Sequence, residues 1–436
     1  MQENELMVEQ LRMFDKQAEI ELEVKDGKPY YTGWLLCVSD GLPDNLLVDG
    51  DLICYAESTK LPNGLKVNGL LDISQTDIIE IPDDCEFKSL NLRHAKVTKL
   101  RDNLELDELQ AYKSSLTALP KSLKVKELLD ISDTKITEIP NDCEFGSLDI
   151  SYTKITKLRD NLTLDSLWVI DSLLTELPKG LKVKDDLDIS GTKITEIPND
   201  CEFGCLHMKE TKIKKLRDNL VIDCLSAMDS SLTELPKNLV VYGGLDIENT
   251  IINHLSDDCL APSVYCNFEP NDKRYEKGYV GYYKLKDEIV NINLPYGREF
   301  LHVDGILSEV IEKRGNVYHV RNGVNKPISY VITDGNGHWA HGDTLEKAKQ
   351  DLRYKMSARD KSEYEKLTLD SELTFNESVA CYRVITGACR AGTQDYLEHR
   401  LPEPKKEKYS IKEIIELTKD EYGGKEFREF FENDNL

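Results

Sequence analysis

The sequence predicts an α/β protein in which a solenoid of about eleven coils, each 19–20 residues long, precedes a mixed α+β domain that ends in helices. Two observations predict this organisation. The thirteen residues Thr134–Gly146 recur unchanged as Thr192–Gly204, displaced by 58 positions. After Asp257 the period is lost, and prolines, tyrosines and mixed patterns replace it. A fixed period of this kind indicates stacked units, none of which can close a hydrophobic core alone.

Each coil carries recurring apolar pairs. The block of 58 residues divides into steps of 20, 19 and 19, marked by Leu119, Ile139, Leu158 and Leu177. In the coil that starts at Leu119, Leu123 with Val125 and Leu129 with Ile131 alternate with polar residues, as in a strand with one buried face. A column of small residues, mostly Thr and Ser, indicates a tight turn. We expect their hydroxyls to bond backbone amides there.

The pattern LDISxTxITxIPxxC resembles the short bacterial leucine-rich repeat, with Thr or Ser where that family more often has Asn. The resemblance covers about half of the chain. It implies a leucine-rich-repeat-like, curved parallel solenoid over residues 42–260, in a family used mainly for binding proteins. Residues 1–41 are then an N-terminal cap, in which Leu6, Val8, Leu11 and Phe14 form one helical face. Residues 261–297 form a connecting segment with one or two strands, and residues 298–436 form the α+β C-terminal domain.

The side chains that point outward from the strands predict a partner-binding face. One outward column is acidic with an aromatic interruption, and the next contributes larger apolar side chains. A Trp between aspartates is the kind of anchor that dominates an interface. The alternatives are a tolerated surface aromatic or a contact with the other domain. The predicted partner-binding residues are Tyr112, Asp130, Asp149, Trp168, Ile170, Asp188, His207 and Met228.

The charge balance narrows the class of partner. With 56 Lys and Arg against 80 Asp and Glu, the net charge is −24, which argues against direct nucleic-acid binding. The acidic face favours a protein partner with a basic surface, and a sharper version is an inhibitor or decoy of a basic, nucleic-acid-binding target. No run approaches the roughly 18 apolar residues of a membrane span, and the first residues are acidic. We therefore expect a soluble, cytoplasmic protein.

The eleven cysteines contain no CxxC motif, and their odd number agrees with free thiols. Four of them share one column with core leucines and are interpreted as small core residues: Cys85, Cys143, Cys201 and Cys259. Cys205 and Cys224 lie 19 positions apart in an outward column. They are either a redox pair or simple replacements of serine.

The C-terminal half contains a hairpin followed by a helix. Alternation at 317–320 and 328–332 with a turn at 334–337 predicts the hairpin. A helix from Thr344 to Met356 follows, with Thr344 as its N-cap and an apolar face formed by Leu345, Ala348, Leu352 and Met356. Residues 330–352 (YVITDGNGHWAHGDTLEKAKQDL) resemble the core of HicB-like antitoxin domains, which implies another partner-binding module. Further helices are predicted over 376–386, 393–401, 410–419 and 424–431.

One constellation favours an enzyme instead. His341-Gly342 precedes Gly387-Ala388-Cys389-Arg390-Ala391-Gly392 with 48 residues from His to Cys, which resembles caspase-like cysteine proteases, although Gly387 stands where that family has Gln. The resemblance implies Cys389 as nucleophile and His341 as its base. His338 and His341 are alternatively metal ligands, but a third ligand is not evident. Nucleotide-binding glycine motifs are missing, so we expect no cofactor and no metal. The principal prediction is a non-enzymatic scaffold for protein–protein interaction.

Overall fold

The computed structural model describes residues 23–25, 28–37, 40–279, 281–286, 291–293, 297–357, 359–402 and 404–432. A parallel β-solenoid of about 12 turns precedes a C-terminal region of strands and helices, which confirms the predicted α/β solenoid. The chain divides into two compact units. The first unit comprises the chain up to Phe203 together with His207–Lys212. The second unit comprises Gly204–Leu206 and Ile213–Leu436. The predicted helical face from Leu6 to Phe14 lies outside the described residues.

The first unit is built from short strands. They are β1 (Glu23–Lys25), β2 (Lys28–Thr32), β3 (Leu35–Cys37), β4 (Leu47–Asp49), β5 (Leu52–Cys54), β6 (Lys66–Asp72), β7 (Glu86–Asn91), β8 (Glu105–Leu106), β9 (Glu108–Gln110), β10 (Lys124–Asp130), β11 (Glu144–Asp149), β12 (Thr163–Leu164), β13 (Leu167–Trp168) and β14 (Lys182–Asp188). Strand β2 pairs in parallel with β4, and β3 with β5. A solenoid coil therefore already lies within the segment predicted as a cap, and the count of eleven coils is one too few.

A ladder of leucines fixes the register from coil to coil. Leu109 pairs with Leu90 on one side and Leu129 on the other, and the same column continues through Leu148 and Leu167. All of these side chains are essentially inaccessible to solvent. Full burial of one leucine contributes roughly 1.5–3 kcal/mol, so slipping a coil by one residue would expose its whole apolar set.

Aspartate side chains accept hydrogen bonds from backbone amides that have no partner in the strand pairing. In the outward column, each carboxylate accepts a hydrogen bond from the amide two residues later, as in Asp149 with Ser151 (2.8 Å) and Asp188 with Ser190 (2.9 Å). On the opposite turn, Asp102 accepts the amide of Lys121 in the next coil (2.9 Å), and Asp160 accepts that of Lys179 (3.1 Å). Many acidic side chains of the solenoid are thus part of its backbone hydrogen bonding.

The hydroxyls of the small-residue column have a different role from the one predicted. The threonines donate to the carbonyl three residues earlier, as Thr134 does to Ile131 (2.7 Å) and Thr192 to Ile189 (2.6 Å). The predicted hydroxyl bonds to amides are made by serines such as Ser172, which accepts from Leu174 at 3.3 Å, and by Thr250, which accepts from Ile252 at 3.4 Å. The same carbonyl also accepts the backbone amide of the column residue, as Ile189 does from Thr192 at 3.3 Å, so the hydroxyl adds a second hydrogen bond at the turn.

The cysteine predictions are confirmed for the core column. Cys85, Cys143, Cys201 and Cys259 are buried, and burial raises the pKa of the Cys85 thiol to about 11. Cys205 and Cys224 are half-buried. The described part of the chain contains no disulfide.

The second unit holds the last solenoid strands and two further layers. The solenoid strands are β15 (Glu202–His207), β16 (Val221–Ile222), β17 (Cys224–Ser226), β18 (Val240–Val241) and β19 (Gly244–Asp246). The connecting segment contains four strands instead of one or two: β20 (Ser263–Tyr265), β21 (Tyr275–Tyr279), β22 (Tyr282–Leu285) and β23 (Asn291–Asn293). Strand β20 continues the parallel ladder of β19 and pairs antiparallel with β22, so the direction of pairing reverses and the solenoid ends there.

An antiparallel meander follows. It runs from β23 through β24 (Glu299–Val303), β25 (Ile306–Arg314), β26 (Val317–Arg321), β27 (Ser329–Thr333) and β28 (Trp339–Gly342). Helix α1 (Leu345–Met356) covers β27 and β28 through Ala348 and Leu352, as predicted. Met356 was predicted on this buried face, but it is 54% exposed because the helix ends at that residue.

The remaining helices form a separate core with a two-stranded sheet. They are α2 (Phe375–Thr386), α3 (Arg390–His399), α4 (Ile411–Thr418) and α5 (Gly424–Glu432), and the strands are β29 (Glu372–Thr374) and β30 (Lys408–Ser410). Both α2 and α4 begin with a capping box, formed by Thr374 with Glu377 and by Ser410 with Glu413. No helix in the described ranges is long and apolar enough to cross a membrane.

The meander docks against the last solenoid coils within this unit. The Tyr242 hydroxyl donates to Glu309 at 3.3 Å, and the Arg298 guanidinium donates to the other oxygen of that carboxylate at 2.7 Å. The amide of Val324 donates to Asp223 at 2.7 Å. The C-terminal domain is therefore anchored by buried and half-buried polar contacts as well as by apolar packing.

The aspartate column yields a stability prediction. Burial raises the pKa of Asp149, and the nearby Asp130 and Asp188 carboxylates add to this effect. Because the pKa of Asp149 is higher in the folded state than in the unfolded state, protonation of Asp149 stabilises the fold at low pH. This stabilisation is lost as the pH rises through the folded-state pKa. Asp149→Asn keeps the acceptor for Ser151, as Asn91 does for Arg93 (3.1 Å), and removes the buried charge. Thermal unfolding should show a higher melting temperature for this variant at neutral pH and no difference in acid.

Asp149→Ala serves as the comparison, since it removes the acceptor as well as the charge. Asp149→Ala should lower the free energy of unfolding by about 1 kcal/mol at low pH, where residue 149 is uncharged in both proteins. Asp165→Asn, at an exposed position, controls for the general change in net charge. Equal melting temperatures for wild type and Asp149→Asn at neutral pH would contradict the buried-charge argument.

Candidate functional site

Two groups of residues carry functional chemistry, one on the solenoid surface and one inside the C-terminal domain. The surface group lies at the strand ends of β13. Trp168 sits between Asp149 and Asp188 in the parallel register, as the outward column predicts. Trp168, Ile170, Asp149 and Asp188 are all half-buried, so each keeps part of its side chain accessible.

Tyr152 adds to this surface. It occupies the left-handed turn position one coil earlier (φ 58°), its amide donates to the Ile170 carbonyl at 2.8 Å, and it is 55% exposed. We define the strand-face patch as Tyr152, Trp168 and Ile170. Sequence reasoning missed Tyr152, although it stands in a column that other coils fill with polar residues such as Asp133 and Glu210.

A serine compensates for the aspartate that Trp168 replaces. The amide of Ile170 would have no column carboxylate to bond, and instead it donates to the hydroxyl of Ser151 at 3.2 Å. The tryptophan therefore occupies a position whose usual structural task is done by a neighbour. Because the fold needs no hydrogen bond from the Trp168 side chain, that side chain is available for contact with another molecule.

The other predicted partner-binding residues are distributed differently. Tyr112 is half-buried and stacks edge-on with His94 at 5.4 Å. His207 and Met228 are half-buried, and the His207 ring lies 3.8 Å from Asp186. Asp130 was predicted as part of the binding surface, but it is only 7% exposed, and its carboxylate accepts hydrogen bonds from both the amide and the hydroxyl of Ser132. It is a structural residue of the coil.

The buried group brings together residues from four separate elements. Asp304 and Gly305 form the two-residue turn between β24 and β25, with φ of 53° and 79°, and Asp-Gly is a sequence that favours such a turn. His341 lies on β28, Lys355 lies in the last turn of α1, and Cys389 is the N-cap of α3. We call Asp304, His341, Lys355 and Cys389 the buried cluster.

An ion pair holds the centre of the buried cluster. The Lys355 ammonium donates to both oxygens of Asp304 at 2.6 and 2.7 Å, and both side chains are 4% exposed. Burial opposes the charge on Lys355, but the Asp304 carboxylate, together with Cys389 and Tyr422, raises the pKa of the lysine. The lysine is therefore charged at neutral pH.

His341 and Cys389 complete the cluster. One donor atom each from Asp304, His341 and Cys389 lie within 4.8 Å of one another. His341 is 3% exposed, and neither of its ring nitrogens has a hydrogen-bond partner among the described residues. Burial lowers the pKa of His341 to about 4, and burial followed by the nearby Asp304 raises that of Cys389. At neutral pH the imidazole and the thiol are both uncharged.

This geometry bears on the two chemical alternatives drawn from the sequence. Cys389 and His341 are neighbours, as the cysteine-protease resemblance implies, but the hydrogen bond that would pass the thiol proton to the imidazole is not made. The sulfur instead accepts the amide of Gly392 at 3.2 Å. His338 does not join His341 as a ligand pair, because it is half-exposed and bonds Asp334 at 2.7 Å. Sequence reasoning missed Asp304 and Lys355, for which the Asp-Gly turn was the available signal.

A cavity of about 80 Å³ adjoins the buried cluster. Its wall is mainly apolar and aromatic, and Asp304 and Cys389 lie on it. Tyr382, Tyr396 and Tyr409 supply much of the remaining surface.

No protein-family model matches this chain, and no curated protein or solved structure is detectably similar to it. The functional assignment therefore depends on the geometry of the two groups.

The buried ion pair gives a stability prediction. Lys355→Met should lower the free energy of unfolding by about 3–5 kcal/mol, because it leaves the Asp304 carboxylate buried without a counter-charge. Chemical denaturation measures this loss. The double variant Lys355→Met with Asp304→Asn should recover most of it, since Asn tolerates the left-handed turn. An equal loss in both variants would mean that the lysine acts through packing alone.

Proposed function

We propose that this protein is a non-enzymatic scaffold that binds a protein partner through the strand-face patch of its solenoid. A solenoid fold suits such a role, because stacked coils present side chains in regular columns on an extended surface. The observation that carries the proposal is Trp168, a large aromatic residue placed in a column of backbone-binding aspartates and accessible to solvent.

The patch has the features of an interface anchor. Tyr and Trp are enriched among residues that dominate binding energy, and Ile170 adds apolar surface beside them. Tyr152 extends outward from its turn with more than half of its surface exposed. Clustered apolar side chains of this kind, surrounded by polar ones, are uncommon on surfaces that bind nothing.

The flanking charges favour a basic partner. Asp149 and Asp188 sit directly beside Trp168, and the whole chain carries a net charge of −24. Such a field speeds encounters with positively charged proteins and repels nucleic acid. A sharper form of the proposal is an inhibitor or decoy that covers a basic, nucleic-acid-binding surface on its target.

Trp168→Asn tests the patch. Asn occupies the same column at position 91, and the amide of Ile170 already has an acceptor, so the fold should tolerate the change. We expect capture of the partner, identified by crosslinking and mass spectrometry with wild-type protein, to fall at least about tenfold, as for a hot-spot residue. The melting temperature should stay close to that of the wild type.

Ile79→Ser is the matched control. Ile79 is 63% exposed on the same unit but lies outside the strands, so its replacement removes a comparable apolar surface away from the patch. Capture should be unchanged. If both variants bind as the wild type does, the strand face is not the binding surface.

The double variant Asp149→Asn with Asp188→Asn tests the charge of the partner. Both amide acceptors are preserved, so only the two charges are removed. Association should slow, and its dependence on salt concentration should weaken, if the partner is basic. Association that is equally fast at all salt concentrations would reject the basic partner while leaving the aromatic anchor intact.

The cysteine-protease-like alternative stays a prediction for the C-terminal domain. It requires Cys389 to lose its proton to His341, and the uncharged, non-bonded pair described above lacks that contact. Cys389→Ala separates the classes, since a proteolytic activity that survives this change does not use Cys389.

A further inference from the structure

We propose that Asp304, His341 and Cys389 bind one thiophilic divalent transition-metal ion of the zinc type. The proposal concerns the C-terminal domain and does not depend on the scaffold function of the solenoid. It starts from the juxtaposition of a carboxylate, an imidazole and a thiol that come from a hairpin turn, a strand and a helix N-cap.

The donor set is the first argument. Zinc in proteins is bound by Cys sulfur, His nitrogen and Asp oxygen, and catalytic or exchangeable sites have three protein ligands with one further position. Ligand atoms around a tetrahedral zinc ion lie about 3.3–3.8 Å apart, given bond lengths of roughly 2.0–2.3 Å. The three donor atoms here lie within 4.8 Å of one another, so closure by about 1 Å is required.

The state of His341 is the second argument. A buried imidazole that makes no hydrogen bond leaves its donor and its acceptor unsatisfied, which destabilises the fold. His341 is 3% exposed, and both of its ring nitrogens are in this condition among the described residues. An apolar side chain of similar size would avoid the cost. Coordination of a metal by one ring nitrogen supplies a partner for the unsatisfied acceptor.

The surrounding residues support a ligand position. Gly392 lets α3 approach the hairpin turn, because a Cβ at this residue would lie 2.9 Å from the Cβ of Asp304. Lys355 fixes the Asp304 carboxylate through both oxygens, as outer residues commonly fix the ligands of a metal site. One oxygen can turn to the metal while the other stays on the ammonium.

The cavity supplies the remaining coordination position. Asp304 and Cys389 line it, so a metal between them faces its interior, where water or a small ligand completes the tetrahedron. The presence of a thiol and an imidazole favours zinc or cobalt over magnesium or calcium, which prefer all-oxygen sites.

Cobalt titration of the full-length protein tests the site. The chain is stripped of metal with a chelator, kept reduced, and titrated with cobalt(II). We expect one equivalent to produce a thiolate-to-cobalt charge-transfer absorption and tetrahedral visible bands, both displaced by zinc. Cys389→Ser and His341→Gln should abolish the charge-transfer absorption or weaken binding at least about tenfold.

Matched controls separate the site from the other thiols and histidines of the chain. Cys381→Ser alters a buried thiol in α2, and His338→Gln alters the half-exposed histidine of the same hairpin as His341. Both should bind cobalt as the wild type does. Wild-type protein that shows no charge-transfer absorption, or Cys389→Ser protein that retains it fully, would overturn the proposal.

A measurement on wild-type protein alone covers the case in which a variant fails to fold. X-ray absorption of the zinc-loaded chain should show one sulfur ligand at about 2.3 Å, with nitrogen and oxygen completing the shell. Two or more sulfur ligands per zinc would assign the metal to other cysteines and reject the site.

Discussion

The structure depends on one constraint, the satisfaction of backbone hydrogen bonds at both turns of every coil. Parallel strands of two to seven residues pair only over part of each coil, so the amides and carbonyls at the turns need side-chain partners. Asp149 and its equivalents take the amides after the strands, and Thr134 and its equivalents take the carbonyls. The leucine ladder stabilises the stack, but these polar bonds decide where each coil turns.

This constraint changes the interpretation of the acidic surface. A carboxylate that accepts a backbone amide is fixed in place, so part of the acidic surface of the solenoid is a by-product of how the coils are closed. The coils that contain Trp168 and His207 both depart from the rule, and in each a serine of the preceding coil, Ser151 or Ser190, accepts the amide instead. Where a neighbouring side chain accepts the amide, the fold no longer needs an acceptor in the column. A repeat protein can place a binding residue at such a position.

Sequence reasoning succeeded where one physical period controls the structure. The spacing of Leu129 and its equivalents was enough for the register of the solenoid, and the capping residue Thr344 was enough for the start of α1. It failed where a side chain has two possible roles. Asp130 is outward by its strand position, and only the structure shows that its carboxylate folds back onto Ser132. The pairing of β2 with β4 was missed because that coil lacks the repeat's recurring letters.

The buried cluster illustrates the other limit of sequence reasoning. Cys389 and His341 could be connected through a spacing, but Asp304 and Lys355 reach them only through the turn of a hairpin and the end of a helix, and the Asp-Gly signal of the turn does not show what the turn packs against. An ion pair at 4% exposure, beside an imidazole that makes no hydrogen bond within the described part of the chain, is destabilising if it serves packing alone. The rest of the helical core is filled by residues such as Phe427 and Ile385, which are apolar and bury no charge. The contrast between these two neighbouring regions is the reason to assign the polar one a ligand.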